Sequence, residues 1–70
     1  MNQKVRELIT FFGNQQKTAK ALGCSQTTVF KWLHGKMNVS LFYAVKAEKL
    51  TNSEIKAVDL CSRIEELENL

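Results

Sequence analysis

Polar side chains that can hydrogen-bond to the edges of DNA bases occur close together between Ser25 and His34. Gln26 can pair with adenine N6 and N7, and Lys31 can donate to guanine O6 and N7. Thr27 can bond a base edge or touch a thymine methyl group. These are side-chain types with which proteins read the major groove of DNA.

A helix would sort this segment into two faces. At about 100° per residue, the apolar side chains fall on one side: Val29, Trp32 and Leu33. The opposite side and its flanks carry the others: Thr27, Lys31 and His34, with Gln26, Thr28 and Phe30 beside them. Because a helix that enters the major groove exposes polar residues near its N-terminus, the pattern predicts a recognition helix with Trp32 in the core. Two interpretations of Phe30 stay open: partial packing, or contact with a thymine methyl group or a sugar.

Glycines and polar caps mark the elements that must position this helix. Three glycines each follow a helical pattern and can end it in a left-handed conformation: Gly13, Gly23 and Gly35. Asn14 and Ser25 are suitable N-caps, so the expected helices are residues 3–12, 15–22 and 25–34. A small residue, Ala19, lies four positions before Gly23 and lets two helices cross closely. Residues 15–34 are therefore predicted to form a helix-turn-helix, with Cys24 as a small buried residue in its turn.

The segment 39–50 is ambiguous by propensity, because strand-forming residues are followed by good helix formers. Ser40 can cap a helix, and no glycine or Asn-Gly hairpin signal follows it. Helix is therefore expected there, with another helix after Ser53 or near Ala57 and a helical composition in residues 64–70. The predicted fold is all-α, with about five helices in one domain over residues 1–70, whose part 39–70 completes the core and dimerises.

Charge and composition restrict the class of protein. Residues 1–36 carry six of the ten basic residues and one of the seven acidic residues, so a polyanion is expected on this half. No apolar run is long enough to span a bilayer, and no signal-peptide pattern follows the N-terminus. A cytoplasmic, nucleoid-associated protein is expected. Two distant cysteines and one histidine predict reduced thiols, no metal site and no cofactor, and no catalytic motif indicates an enzyme.

A longer stretch resembles a known family. Its sequence, from Phe12 to Gly23, is FGNQQKTAKALG, followed by Ser25-Gln26 and ending near His34-Gly35-Lys36. It is similar to the Cro repressors of temperate, lambdoid-type phages and to related small Cro/CI-type bacterial regulators. The resemblance covers residues 5–36, and residues 44–60 look like the all-helical branch rather than the branch that ends in a β-hairpin.

The resemblance implies a transcriptional repressor that binds a palindromic operator on double-stranded DNA as a homodimer. Because few apolar residues are available in the C-terminal half, the dimer is expected to be weak in solution. The expected base contacts are Gln26, Thr27, Thr28, Phe30 and Lys31. Phe30 departs from the more polar residue often found at its position. The expected phosphate contacts are Gln15, Gln16, Lys17, Ser25, His34, Lys36 and Asn38. The expected dimer contacts are Phe42, Tyr43, Leu67 and Leu70. Neither a membrane nor a small-molecule ligand is expected as a partner.

A function from another class competes with this one. The chain would be a protein-binding module, such as an antitoxin or an adaptor, that docks through Tyr43, Leu67 and Leu70. Salt-sensitive retention on DNA would favour the repressor, whereas indifference to DNA would favour the protein-binding module.

Overall fold

A computed structural model describes residues 2–61, which contain five α-helices and no strand within that range. The helices are α1 (Gln3–Phe12), α2 (Gln15–Leu22), α3 (Gln26–Leu33), α4 (Leu41–Leu50) and α5 (Ala57–Leu60). The predicted all-helical fold is confirmed, including helix rather than strand after Ser40.

The chain divides into two compact units. The first ends at Asn38 and contains α1 to α3, and the second begins at Val39 and contains α4 and α5. The expectation of one domain stays a prediction.

Asparagine side chains cap the first two helices. The Oδ1 atom of Asn2 accepts hydrogen bonds from the backbone N–H groups of Lys4 at 3.0 Å and Val5 at 3.1 Å. Asn14 Oδ1 accepts from the N–H of Lys17 at 2.8 Å. Each cap satisfies backbone donors that the first helical turn leaves unpaired. The N–H of Asn2 also donates to the carbonyl of Leu33 at 2.8 Å, which ties the start of α1 to the end of α3.

The core of the first unit is built from the inward faces of its three helices. Its buried apolar residues are Val5, Leu8, Ala19, Leu22, Val29, Trp32 and Leu33. Trp32 is only 1% exposed, so its predicted core position is confirmed. Ala19, at 4% exposure, is small enough for α3 to approach α2 closely.

Gly23 makes the turn between α2 and α3. Its φ of 78° and ψ of 33° are left-handed, and its N–H donates to the carbonyl of Ala19 at 2.9 Å. A side chain at this position would be strained, which explains the glycine. Cys24 follows and is half-buried rather than buried as expected, because it lies in the turn rather than on the inward face of a helix.

Polar contacts cap α4 and connect it to the turn and the helix that follow. Ser40 Oγ caps α4 by accepting from the N–H of Tyr43 at 3.4 Å, and the side chain of Glu48 reaches α5, where its Oε1 accepts from the N–H of Ala57 at 2.8 Å. The buried hydroxyl of Thr51 donates to the carbonyl of Ala47 at 2.8 Å and accepts from the N–H of Ile55 at 3.3 Å. The helix expected near Ala57 is confirmed, while residues 64–70 lie outside the described part of the chain.

One helix boundary differs from the sequence-based expectation. α3 ends at Leu33, and His34 is its C-cap with φ of −92° and ψ of 9°. Gly35 then reverses the chain with φ of 71°. The N–H of Lys36 donates to the carbonyl of Lys31 at 2.8 Å, a bond typical of a glycine-terminated helix end.

In residues 2–61, no helix is long and apolar enough to cross a bilayer.

Candidate nucleic-acid interface

The beginning of α3 is fixed by two hydroxyl groups. Ser25 Oγ accepts from the backbone N–H of Thr28 at 3.1 Å and lies 2.8 Å from Thr28 Oγ1. Thr28 is half-buried, whereas Ser25 is exposed. Because the two hydroxyls bond each other, Thr28 supports the helix start, and a contact from it to a base would compete with that bond.

The outer face of α3 is polar and exposed, as its sequence period predicts. Gln26, Thr27, Lys31 and His34 are all exposed. The opposite face is buried, with exposed fractions of 0% for Val29, 1% for Trp32 and 8% for Leu33. The helix is therefore anchored by one side and leaves amide, hydroxyl and ammonium groups available on the other.

The tertiary structure brings the start of α2 beside the start of α3. Gln15, the first residue of α2, lines an open hollow of about 260 Å³ together with Gln26, Thr27 and Phe30 of α3. Neither helix has an acidic residue in its first turn. The N-terminal ends of both helices carry partial positive charge, so nothing in their first turns opposes an anionic ligand at this hollow.

Phe30 is flanked by two basic side chains. Its ring centroid lies 4.2 Å from that of His34, with the ring planes inclined by 46°. The ammonium group of Lys36 lies 5.8 Å from the centre of the Phe30 ring, within cation–π range. Phe30 nevertheless stays 41% exposed. Of the two interpretations of Phe30, partial packing is therefore present, and it leaves enough surface for contact with a ligand.

The lysines expected to contact phosphate are available. In the part of the chain that the structure describes, an ion pair joins Lys4 to Glu7 at 3.3 Å, and neither Lys17 nor Lys36 is in an ion pair. Lys17 and Lys36 are exposed, as are the remaining expected polar contacts Gln16 and Asn38. Lysines without an acidic partner keep their positive charge available for a polyanion.

The expected contacts are only partly clustered. The structure groups Gln15 with Gln26, Thr27 and Phe30, and it groups Phe30 with His34 and Lys36. Within residues 2–61, no hydrogen bond, ion pair or ring contact joins the side chains of Gln16, Lys17 or Asn38 to these groups. Sequence reasoning missed the position of Lys36 over Phe30. In the sequence only Gly35 indicates this contact, because the chain reversal at that glycine returns Lys36 toward the helix.

The expected dimer residues are in the second unit or beyond the described residues. Phe42 is 67% exposed, and its ring lies 5.2 Å from that of half-buried Tyr43 in an edge-to-face arrangement. Leu67 and Leu70 lie outside residues 2–61. Neither Cys61, which is buried, nor Cys24, which is half-buried, forms a disulfide. Within residues 2–61, no three histidine, cysteine or acidic side chains form a group that could hold a metal ion.

Comparison with known proteins gives the family. The family described as "Bacterial toxin YdaS" matches residues 5–67. A curated relative, "Regulatory protein cro" of Pseudomonas phage D3, is 43% identical over 56 residues, which is 80% of this chain and 77% of the relative. No solved structure matches the chain. The resemblance to Cro regulators is confirmed, and the relative is a regulatory protein rather than an enzyme. The chain belongs to the YdaS family and is a small helical regulator similar to phage Cro.

Proposed function

We propose that the chain is a sequence-specific repressor of the phage Cro type that places α3 in the major groove of double-stranded DNA. One observation carries this proposal: the start of α2 meets the exposed start of α3, so that Gln15 lines one hollow with Gln26, Thr27 and Phe30. In helix-turn-helix proteins the second helix reads bases while the first crosses the backbone. The arrangement fits both tasks on one surface.

Base reading falls to the outer face of α3. Gln26 pairs with an adenine edge, Lys31 donates to a guanine, and Thr27 contacts a neighbouring base. The full set of proposed base contacts is Gln26, Thr27, Thr28, Phe30 and Lys31, of which Thr28 contributes least because its hydroxyl already bonds Ser25. The proposed phosphate contacts are Gln15, Gln16, Lys17, Ser25, His34, Lys36 and Asn38, of which Gln15, His34 and Lys36 lie close to side chains of this face.

A homodimer on a palindromic operator completes the proposal, because one short helix reads few base pairs and two half-sites double the contacts. The exposed part of α4 supports a protein contact. Phe42 and Val45 line a hollow of about 410 Å³ with Lys46 and Lys49, and Leu41 beside it is 45% exposed. We call these five residues the α4 surface. The α4 surface is small, so the dimer is expected to be weak in solution and to assemble on DNA.

The same α4 surface favours a second candidate, a protein-binding module such as an antitoxin or adaptor. A patch of exposed apolar side chains often marks a protein contact. This candidate needs no DNA, so the two functions are separable by experiment.

Selection of bound duplexes from a random DNA pool tests the repressor. We expect a palindromic consensus, bound with an affinity that falls steeply as salt rises, because each neutralised phosphate releases counterions. A variant in which Gln26 and Thr27 are both alanine is expected to lose the consensus. A Phe42→Ser variant is the matched control outside α3 and is expected to keep the half-site preference. Failure to enrich any sequence, with salt-independent retention, would reject the repressor and favour the protein-binding module.

A further inference from the structure

An apolar ring occupies the recognition face of α3, among side chains that are otherwise polar. Phe30 keeps 41% of its surface exposed and lies outside the buried face that Val29, Trp32 and Leu33 form. Exposed single hydrophobic residues are common in proteins, so exposure alone indicates nothing. The neighbours of this ring on both sides are what distinguish it.

Two side chains lie against the ring. His34 packs against it with centroids 4.2 Å apart, and the Lys36 ammonium lies 5.8 Å from its centre. The backbone at Lys36 is tied to the end of α3, since its N–H donates to the carbonyl of Lys31 at 2.8 Å. The same ring also lines the hollow of about 260 Å³ that Gln15, Gln26 and Thr27 share. The exposed Phe30 ring therefore lies directly beside groups that are proposed to meet the DNA.

We propose that Phe30 reads the C5 methyl group of a pyrimidine in the major groove. This inference rests on the proposed DNA binding and assigns one part of its specificity. A thymine presents that methyl group there. A phenyl ring offers no hydrogen-bond partner, so it buries the methyl group favourably and penalises a polar base edge that would lose its water. A methylated cytosine presents the same apolar group, so the recognised chemistry is the methyl itself.

The helix fixes where this methyl group lies. Gln26 and Phe30 are four residues apart and therefore lie in one row along α3. Four residues rise by about 6 Å, whereas successive base pairs are about 3.4 Å apart. The methyl-bearing pyrimidine is thus one or two base pairs from the base that Gln26 reads.

Single uracil substitutions test the proposal on the unaltered protein. Each thymine of the selected duplex is replaced in turn by deoxyuridine, which removes only the methyl group and keeps base pairing. We expect about a fourfold loss of affinity at one position per half-site. This loss corresponds to the free energy of burying one CH₂ group. At that position a 5-methylcytosine–guanine pair is expected to bind more tightly than an unmethylated cytosine–guanine pair.

Two variants assign the effect to Phe30. In Phe30→Ala, the difference between thymine and uracil is expected to disappear. In Phe11→Ala, which alters a similarly exposed ring on α1 (44% exposed), it is expected to remain. If the unaltered protein binds its selected duplex and no uracil substitution matters, or if the loss persists in Phe30→Ala, the methyl-reading role is wrong while DNA binding stands. If no duplex is selected, the proposed function and this inference fail together.

Discussion

The hydroxyl oxygens of Ser25 and Thr28 lie 2.8 Å apart at the start of α3, and Ser25 Oγ also accepts the N–H of Thr28 at 3.1 Å. The first turn of the proposed recognition helix therefore depends on a residue that is itself exposed on the candidate interface. Ser25 thus has two proposed roles, capping α3 and contacting DNA. Two substitutions can separate the effect on stability from the effect on binding.

Ser25→Ala removes the cap of α3. We expect it to lower the free energy of unfolding by about 1 kcal/mol, the usual cost of losing an N-cap, measured by urea denaturation. Ser25→Asp is the matched control, because aspartate caps as well as serine. It is expected to keep the stability yet weaken DNA binding more than Ser25→Ala, since a carboxylate repels phosphate. Equal free energies of unfolding for the unaltered protein, Ser25→Ala and Ser25→Asp would show that the cap contributes nothing to stability.

Lys31 and Lys36 are predicted to act differently on DNA. Lys31→Ala is expected to cost about 1–3 kcal/mol on the matched sequence and to relax the preference at one base pair per half-site. Lys36→Ala is expected to weaken all sequences alike and to lower the salt slope by about one unit. Both variants are measured against single-base operator changes at two salt concentrations. A uniform loss for Lys31→Ala would assign Lys31 to phosphate instead.

Thr51 is predicted to hold the turn between α4 and α5 through its hydroxyl. Thr51→Val keeps the shape of the buried side chain but leaves the N–H of Ile55 without the acceptor that lies 3.3 Å away. We expect a loss of about 1–3 kcal/mol in the free energy of unfolding, the cost of an unpaired buried polar group. Thr51→Ser keeps the hydroxyl and is expected to lose less. A Thr51→Val protein as stable as the original would contradict this role.

Phe42 is predicted to contribute to self-association rather than to folding. Because it is 67% exposed, Phe42→Ser is expected to change the free energy of unfolding by less than about 0.5 kcal/mol. It is expected to reduce cooperative binding to a two-half-site duplex, measured by gel shift and analytical ultracentrifugation. Phe11→Ser, on the first unit, is the control and is expected to leave cooperativity unchanged. Full cooperativity in Phe42→Ser would place the dimer contact elsewhere.

The sequence by itself determined the helices and their inward faces. The cap at Asn14 and the left-handed glycine at Gly23 are local signals, because they act on backbone groups within a few residues. The burial of Val29, Trp32 and Leu33 followed from the 3.6-residue period, which depends only on the helix being formed. In the same way Ser40 predicted the start of α4, and helix formers outweighed the strand propensity of its first residues.

Only the tertiary structure decided which of these residues meet. Gln15 lies beside Gln26 and Thr27 because α2 and α3 cross at the Gly23 turn, and a crossing geometry is not contained in the period of either helix. Lys36 reaches Phe30 because the chain reverses at Gly35, and Glu48 caps α5 across nine residues. Such contacts depend on the direction in which each turn sends the following chain. Sequence patterns, in contrast, indicate the conformation of one helix at a time.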